Sequence, residues 1–169
     1  MIKKLYPTAY IASIYDMDLE ELKAQGIKGI IFDIDNTLVP YDVLEPHDEI
    51  IEFFTKLQEE GFKITLVSNN TKDRVVKFNE KLKVIALHES QKPLGKNFRK
   101  ALHLMACKKE EAVIVGDQIF TDVYGGNLAG IKTILVKPVS DKDEWKTKVK
   151  RGIEKRVIRA YERRVHQGK

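Results

Sequence analysis

The chain has 169 residues, of which 43% are hydrophobic, and this length suits one domain with a sizeable core. No apolar run approaches the length of a membrane span, which argues against a membrane-spanning protein, and the lone Cys107 cannot form an internal disulfide. We therefore expect a cytoplasmic protein in a reducing compartment, either free or bound peripherally to the inner face of a membrane.

The net charge of +5 is unevenly distributed. Residues 141–169 contain eleven Lys/Arg and five Asp/Glu, a net charge of +6, which leaves −1 for residues 1–140. The basic character therefore belongs to the C-terminal segment. We predict one domain, in which residues 1–140 form the core, with 1–26 as a helical lead-in, and residues 141–169 form a basic amphipathic helix.

The predicted elements begin with a short helix over residues 8–15. Asp18 is typical of an N-cap, and the helix LEELKAQ that follows it ends at Gly26. Beyond Gly26, short β-branched runs bounded by turn residues alternate with helical patterns. The predicted strands lie at about 28–33, 63–67, 84–87, 112–116 and 132–136, and the predicted helices lie at about 46–60, 71–81, 95–106 and 119–128.

This alternation predicts an α/β fold with a single doubly wound, five-stranded parallel sheet and helices on both faces. Numbered along the chain, the strands are expected in the order 3-2-1-4-5. The segments from Asp35 to Ser68 and from Ser68 to Lys92 each have room for little more than one helix and one strand. We therefore expect no large cap domain and an open site.

Polar side chains follow the first four predicted strands. Asp33, Asp35 and Thr37 follow the first strand, Ser68-Asn69-Asn70 the second, Lys92-Pro93 the third, and Gly116-Asp117-Gln118 with Thr121-Asp122 the fourth. Because the carboxyl ends of parallel strands share one edge, these groups should converge. Carboxylates, a hydroxyl, an ammonium and backbone amides together are what phosphoryl transfer requires. Each motif alone also fits a turn, an N-cap or a solvated lysine, but their combination favours phosphatase chemistry.

The motifs DIDNT, SNN, KP and GDQIFTD, in this order and at these spacings, resemble those of the haloacid dehalogenase-like (HAD) phosphatases. The stretches DNTLV, VSNN and GDQ..TDV.GGN, with the basic C-terminal helix, resemble the YqeG-like phosphatases of subfamily IIIA, which are related to phosphatidylglycerophosphate phosphatases. The resemblance covers about residues 5–165. It implies a Rossmann-like HAD core, a phosphomonoester substrate and Mg²⁺ as the cofactor.

At the matching positions, the resemblance implies that Asp33 is the nucleophile that forms an aspartyl-phosphate. Asp35 would be the general acid that protonates the leaving alkoxide and then the base that activates water. The Asp33 carboxylate, the Asp35 backbone carbonyl and Asp117 would bind Mg²⁺, a hard cation that prefers oxygen ligands. Thr37 would shape the turn after Asp35.

The same resemblance assigns the remaining motif residues to the phosphate group. Ser68, the Asn69 amide and a helix N-terminus at about residue 71 would hold the phosphate oxygens. Lys92 would pair with both the nucleophile and the phosphate. Asp122 would position Lys92 or a metal-bound water.

The leading substrate by resemblance is phosphatidylglycerophosphate, and an open site suits a large or surface-bound substrate. A sugar phosphate, a nucleotide or a phosphoprotein is the alternative within the same reaction class. A receiver-type signalling domain would carry its phosphorylated Asp after the third strand, where this chain has none. Another hypothesis is an interaction module for a ribosome or a GTPase that uses the basic helix.

Residues 142–166 combine many Lys/Arg with an apolar stripe at a spacing of four. The stripe consists of Trp145, Val149, Ile153, Val157, Tyr161 and Val165. Such a helix either packs its apolar face on its own domain or lies on anionic lipid as a peripheral membrane anchor, near a lipid headgroup substrate. A nucleic acid, such as ribosomal RNA, is a less favoured partner.

Overall fold

A computed structural model of the protein describes residues 2–141 and 145–167, with the side chains of 3–141 and 150–167. Its strands are β1 Ala9–Ile11, β2 Gly29–Phe32, β3 Lys63–Val67, β4 Ile85–Leu87, β5 Ala112–Gly116 and β6 Lys132–Val136. Its α-helices are α1 Leu19–Ala24, α2 Asp48–Glu59, α3 Lys72–Asn79, α4 Lys96–Met105, α5 Tyr124–Ala129 and α6 Trp145–Gln167. Between β5 and α5 lies a π-helical turn, Ile119–Val123.

The six strands form one parallel sheet in the order β1-β6-β5-β2-β3-β4. When β2 to β6 are renumbered 1 to 5, their order in the sheet is the predicted 3-2-1-4-5. The predicted α/β fold is therefore confirmed, but the sheet has six strands instead of five, because β1 adds to its edge beside β6. The central strand β2 is buried along its whole length, because β3 and β5 flank it and helices cover both faces. The carboxyl ends of β2, β3, β4 and β5 therefore meet at one edge.

Two apolar clusters cover the two faces of the sheet. Successive strand residues point to opposite faces, so Ile30 and Phe32 of β2 pack with α2 and α3, whereas Ile31 packs with α4. The rings of Phe32 and Phe54 are stacked, with centroids 5.1 Å apart. This two-sided burial fixes β2 and, with it, the turn that follows.

The predicted helix over residues 8–15 is wrong. Ala9–Ile11 form the edge strand β1 beside β6, and a single 3-10 turn follows at Ile14–Asp16. The Thr8 N–H donates to the Thr133 carbonyl at 2.8 Å. This strand has only three residues, which is too short for an alternating apolar pattern to appear in the sequence. It is stabilised by a partner 125 residues away, and the local sequence does not indicate such a contact.

The C-terminal helix α6 packs on the core along part of its length. Val157 and Ile158 contact an apolar cluster between the π-helical turn and β6. The Tyr161 ring lies 5.8 Å from the ring of Tyr6. These contacts agree with the interpretation that the helix packs on its own domain, although the predicted boundary at residue 140 stays a prediction.

The predicted stripe of α6 does not form a single buried face. Ile153 and Val165 are 54% and 42% exposed. In an α-helix, each residue is rotated by about 40° about the helix axis relative to the residue four positions before it. A series of residues at that spacing therefore winds around the helix, and only some of its members can contact the core. Residues 142–144 and the side chains of Trp145 and Val149 lie outside the described residues. Within the described part of the chain, no helix is long and apolar enough to cross a membrane.

Candidate active site

The carboxyl edge of the sheet carries a buried cluster of charged side chains. Lys92 Nζ lies 2.8 Å from Asp33 Oδ1 and 2.7 Å from Asp122 Oδ1. The three side chains are 8% exposed or less. Because a buried charge is costly unless it is paired, the ammonium and the two carboxylates hold each other in place.

The backbone brings the two carboxylates together from neighbouring strands. The Asp33 N–H donates to the Val115 carbonyl at 3.0 Å, which extends the pairing of β2 with β5. Asp122 can approach because Gly116 ends β5: a Cβ at Gly116 would lie 2.3 Å from Asp122 Cγ. The second oxygen of Asp122 accepts a hydrogen bond from the Gln118 N–H at 3.1 Å.

Asp117 is a further buried carboxylate, and both of its oxygens have protein partners. Thr37 Oγ1 donates to Asp117 Oδ1 at 3.0 Å, so Thr37 orients a carboxylate as well as shaping its turn. Arg151 of α6 pairs with Asp117 Oδ2. Arg151 also donates to the Asp117 backbone carbonyl at 2.8 Å. A C-terminal helix residue thus contacts a predicted metal ligand.

Glu154 provides a second attachment of α6. Its Oε1 accepts hydrogen bonds from the N–H groups of Ile119 at 2.8 Å and Phe120 at 3.3 Å, at the start of the π-helical turn. Its other oxygen accepts from Arg151 at 3.2 Å. Sequence reasoning missed Arg151 and Glu154, and the available signal was weak: an acidic residue three positions after an arginine in a basic segment.

Asp35 lies at the same cleft and has different partners. Arg74 Nη2 donates to Asp35 Oδ1 at 3.1 Å, and Asn70 Nδ2 donates to Oδ2 at 3.0 Å. Arg74 is itself buried, donates to the Leu44 carbonyl and lies 5.3 Å from the centroid of the Phe78 ring. Sequence reasoning also missed Arg74, because an arginine on a short helix gives no local sign of its partner.

Ser68 and Asn69 form the wall of the site after β3. The Lys92 N–H donates to Asn69 Oδ1 at 2.7 Å, and Asn69 Nδ2 donates to the Lys92 carbonyl at 3.4 Å. The Asn69 side chain therefore fixes the backbone that carries Lys92. Ser68 Oγ accepts from the Asn70 N–H at 3.1 Å, which leaves the hydroxyl hydrogen to donate to a ligand. Thr71 caps α3 by accepting from the backbone of that helix, so its predicted start is confirmed.

Burial and neighbouring charges shift the pKa values of the ionisable groups in this site. Burial raises the pKa of Asp33 well above its usual value, which Lys92 opposes and Asp122 reinforces. Burial also raises the pKa of Asp117 to about 6, although Arg151 acts to lower it. Burial acts to lower the pKa of Lys92, but Asp122 and Asp33 together raise it, so Lys92 stays an ammonium.

The carboxylates of Asp33, Asp117 and Asp122 have oxygen atoms within 4.8 Å of one another. An oxygen-only donor set of this kind fits a hard divalent cation, whose charge would offset the repulsion among the three groups. Asp33 and Asp117 were predicted ligands, and Asp122 joins them in the cluster. The predicted role of the Asp35 backbone carbonyl stays a prediction.

Above the cluster lies an open cleft of about 310 Å³. The predicted catalytic and phosphate-binding residues all line it, namely Asp33, Asp35, Ser68, Asn69 and Lys92. Tyr41, Gln118, Thr121 and Lys150 also line it. The predicted open site is therefore found, with the Lys92 ammonium and the nucleophile candidate Asp33 side by side at its floor.

The parallel sheet and the carboxylate–lysine cluster at its carboxyl edge define an α/β enzyme of the phosphoryl-transfer class. The family model described as haloacid dehalogenase-like hydrolase matches residues 41–136. The chain belongs to the haloacid dehalogenase-like hydrolases.

Its relatives narrow this class to phosphatases. The probable phosphatase YqeG of Bacillus subtilis is 42% identical over 98% of this chain and 97% of its own length. Phosphatidylglycerophosphate phosphatase 1 of Arabidopsis thaliana is 30% identical over 82% of this chain but only 42% of its own length. The predicted resemblance and the prediction of a phosphatase are confirmed.

A solved structure agrees with the fold. The cobalt-bound deoxy-D-mannose-octulosonate 8-phosphate phosphatase of Haemophilus influenzae superposes with a TM-score of 0.57 at 14% identity, over 68% of this chain and 70% of that one. HAD phosphatases generally use a metal ion, and the buried acidic cluster is consistent with one.

Proposed function

We propose that the protein is a Mg²⁺-dependent phosphomonoesterase that works through a phosphorylated Asp33, with phosphatidylglycerophosphate as its leading substrate. The observation that carries the proposal is the contact of Lys92 with Asp33 at the cleft floor, 2.8 Å long and buried. A carboxylate beside a fixed ammonium can attack a phosphoryl group whose oxygens the same ammonium neutralises.

In the first step, an Asp33 oxygen attacks phosphorus and the bond from phosphorus to the leaving oxygen breaks. The electron pair stays on the leaving oxygen, which takes a proton from Asp35. Lys92 and the Ser68 hydroxyl stabilise the charge that develops on the phosphoryl oxygens. Asp122 keeps Lys92 in place during this step, because it binds the ammonium at 2.7 Å.

In the second step, Asp35 takes a proton from a water molecule, and the water oxygen attacks the phosphorus of phospho-Asp33. The bond from phosphorus to the Asp33 oxygen breaks, which releases inorganic phosphate and restores the carboxylate. Arg74 and Asn70 hold the Asp35 carboxylate from the side of α3 in both steps. Asp35 must exchange a proton in each step, and these two contacts orient the group that does so.

The residues that would hold Mg²⁺ are Asp33 and Asp117, with the Asp35 backbone carbonyl. When bound, the cation supplies charge neutralisation and orientation for the phosphoryl oxygens. On the protein side, Thr37 and Arg151 orient Asp117. The proposed Mg²⁺ requirement is supported by the buried oxygen-only donor set.

The lipid substrate is supported by three observations. One relative is a phosphatidylglycerophosphate phosphatase that is 30% identical over 82% of this chain. The cleft is open, so a bulky or surface-bound phosphomonoester can reach Asp33. The C-terminal helix exposes basic side chains and Ile153, as a surface that contacts anionic lipid requires. Residues 142–166 would then hold the protein peripherally on the membrane, and a nucleic acid is the less favoured partner of this helix.

The test is phosphate release from phosphatidylglycerophosphate in micelles and from a panel of soluble phosphomonoesters, with Mg²⁺ or with EDTA. We expect Mg²⁺-dependent hydrolysis of the lipid at a kcat/KM far above that of the sugar phosphates, nucleotides and phosphopeptides. Hydrolysis of the soluble panel alone would keep the phosphatase and contradict the lipid substrate. Asp33→Asn is the matched control, because it keeps the size of the side chain and removes the nucleophile.

A further inference from the structure

Lys150 of α6 lines the cleft, and the proposed reaction gives it no role. We propose that Lys150 forms a subsite for a second anionic group, so that the preferred substrates are phosphomonoesters whose leaving group carries a phosphodiester or a carboxylate. This inference rests on the proposed function, because it concerns the part of the substrate that is not transferred.

The neighbouring residues fix Lys150 at the cleft wall. Arg151, the next residue, donates to the Asp117 backbone carbonyl and pairs with the Asp117 carboxylate. One turn later, Glu154 accepts two backbone hydrogen bonds from the π-helical turn. The backbone of Lys150 therefore cannot leave the cleft without breaking buried polar contacts, which are costly to lose.

The two lysines at the cleft differ in their partners. Lys92 is buried and is neutralised by Asp33 and Asp122. Lys150 is exposed, and within residues 3–141 and 150–167 it has no hydrogen bond or ion pair with another side chain. Its ammonium group is thus available to an anion from solution, whereas Lys92 is already shared between two carboxylates.

The position of Lys150 points to the leaving group. The transferred phosphoryl group must lie in line with Asp33, which is only 7% exposed at the cleft floor beside Lys92. Lys150 reaches the cleft from the solvent side, on α6. A substrate that places its phosphomonoester at the floor directs its leaving group outward, where the Lys150 ammonium would be close to a second negative charge.

Because the cleft is open, a charged subsite at its wall would contribute to substrate specificity. Without a cap, discrimination among phosphomonoesters depends on side chains at the cleft wall. Apart from Asp35, which the proposed reaction uses, the other polar groups there, such as Tyr41 and Gln118, are uncharged. A single ammonium recognises an anion with little demand on geometry. A phosphodiester in a lipid headgroup and one in a soluble molecule would satisfy it equally.

The experiment compares two soluble substrates of nearly equal size. One is glycerophosphoglycerol phosphate, which carries a phosphomonoester and an anionic phosphodiester; the other is the same compound with the phosphodiester methylated and therefore neutral. Each is assayed with the wild type, Lys150→Gln, Lys150→Arg and Lys155→Gln. Lys155→Gln is the matched control, since Lys155 is exposed on the same helix and does not line the cleft.

We expect the wild type to prefer the anionic compound by about tenfold in kcat/KM, mainly through KM, and Lys150→Gln to reduce this preference to about twofold or less. Lys150→Arg and Lys155→Gln should retain the preference. The neutral compound should react equally with all four proteins. Added salt should weaken the wild-type preference, because the contact is exposed.

Three results would overturn the inference while leaving the phosphatase intact. The first is equal reaction of the wild type with both compounds. The second is an equal loss for both compounds in Lys150→Gln, which would indicate a structural role. The third is an effect of Lys150→Gln that is absent with both soluble compounds and appears only when the four proteins are assayed with phosphatidylglycerophosphate in micelles, which would assign the lysine to the lipid surface. Failure to hydrolyse any phosphomonoester would instead contradict the proposed function itself.

Discussion

The buried carboxylates Asp33 and Asp117 lie in one cluster but receive their cations from different regions. The partner of Asp33 is Lys92, which follows β4 at the same edge of the sheet. The partner of Asp117 is Arg151, which α6 brings from 34 residues further along the chain. The first pairing belongs to the parallel sheet, whereas the second depends on how the C-terminal helix packs.

The two regions therefore have different roles: the sheet edge carries the residues that can react with a substrate, and α6 carries residues that hold those groups in place. At the strand ends, Asp33, Ser68 and Lys92 line the cleft and can touch a substrate. Arg151 and Glu154 do not line the cleft, and they bind the backbone and carboxylate of the fourth motif. We therefore expect changes in the first region to abolish catalysis and changes in the second to act first on stability and metal binding.

Replacing Lys92, the cationic residue at the edge of the sheet, should have the largest effect on both stability and activity. Lys92→Met leaves Asp33 and Asp122 buried without their ammonium, so we expect a loss of about 3–5 kcal/mol in the free energy of unfolding. Phosphate release should fall at least about a hundredfold, because the phosphoryl oxygens also lose a stabilising charge. Urea unfolding and phosphate release measure the two effects. Lys100→Met on the exposed side of α4 is the control, and a Lys92→Met protein with wild-type stability would contradict the pairing.

Replacing the cation of α6 should cost less. Arg151 is partly exposed, so we expect Arg151→Met to reduce the free energy of unfolding by about 2–3 kcal/mol, somewhat less than the loss for a fully buried pair. Mg²⁺ should restore much of this loss, because a bound cation neutralises Asp117 in place of the guanidinium. Thermal unfolding with and without Mg²⁺ tests this, with the exposed Arg156→Met as control. The same Mg²⁺-induced rise in Tm for Arg151→Met and the wild type would contradict the comparison.

The stabilisation by Mg²⁺ should itself depend on pH. Burial raises the pKa of Asp117 to about 6, so below that pH the carboxyl group must release a proton before it can bind a cation. We expect the affinity for Mg²⁺ to fall by about tenfold per pH unit below pH 6. In the metal-free protein, the raised pKa means that the contribution of Asp117 to stability decreases as pH rises from about 4 to about 6. A Mg²⁺-induced rise in Tm that is equal at pH 5 and pH 7.5 would contradict this.

The smallest effects should distinguish the packed side of α6 from its exposed side. Val157→Ala removes two methyl groups that contact the core, at a cost of about 1 kcal/mol, whereas Ile153→Ala should change stability by less than about 0.5 kcal/mol. Urea unfolding of the two variants measures the difference. Equal losses would mean that Ile153 is also packed in solution.

The sequence allows the strand-end residues to be predicted because each belongs to a short motif directly after a strand. Parallel strands bring such motifs to one edge, so Asp33, Ser68, Lys92 and Asp117 converge without knowledge of any side-chain contact. Arg151 has no such marker, because its partner is set by the packing angle and register of a long helix.

The two features that the sequence did not predict correctly, the strand β1 and the buried face of α6, also depend on contacts between distant parts of the chain. Strand β1 is three residues long and depends on β6, and the period-four stripe in α6 drifts around the helix axis, so Ile153 lies outside the packed face. Each of these features depends on contacts between distant segments, which local patterns do not record.

The most direct test of the account is to trap the covalent intermediate. The protein is mixed with a phosphomonoester labelled in its phosphoryl group, quenched in acid within a single turnover and mapped by peptide mass spectrometry. We predict Mg²⁺-dependent label on the peptide that contains Asp33, at Asp33 itself, and none in Asp33→Asn. Turnover without label in the wild type, together with an Asp33→Asn protein that still releases phosphate, would contradict the assignment of Asp33 as the nucleophile.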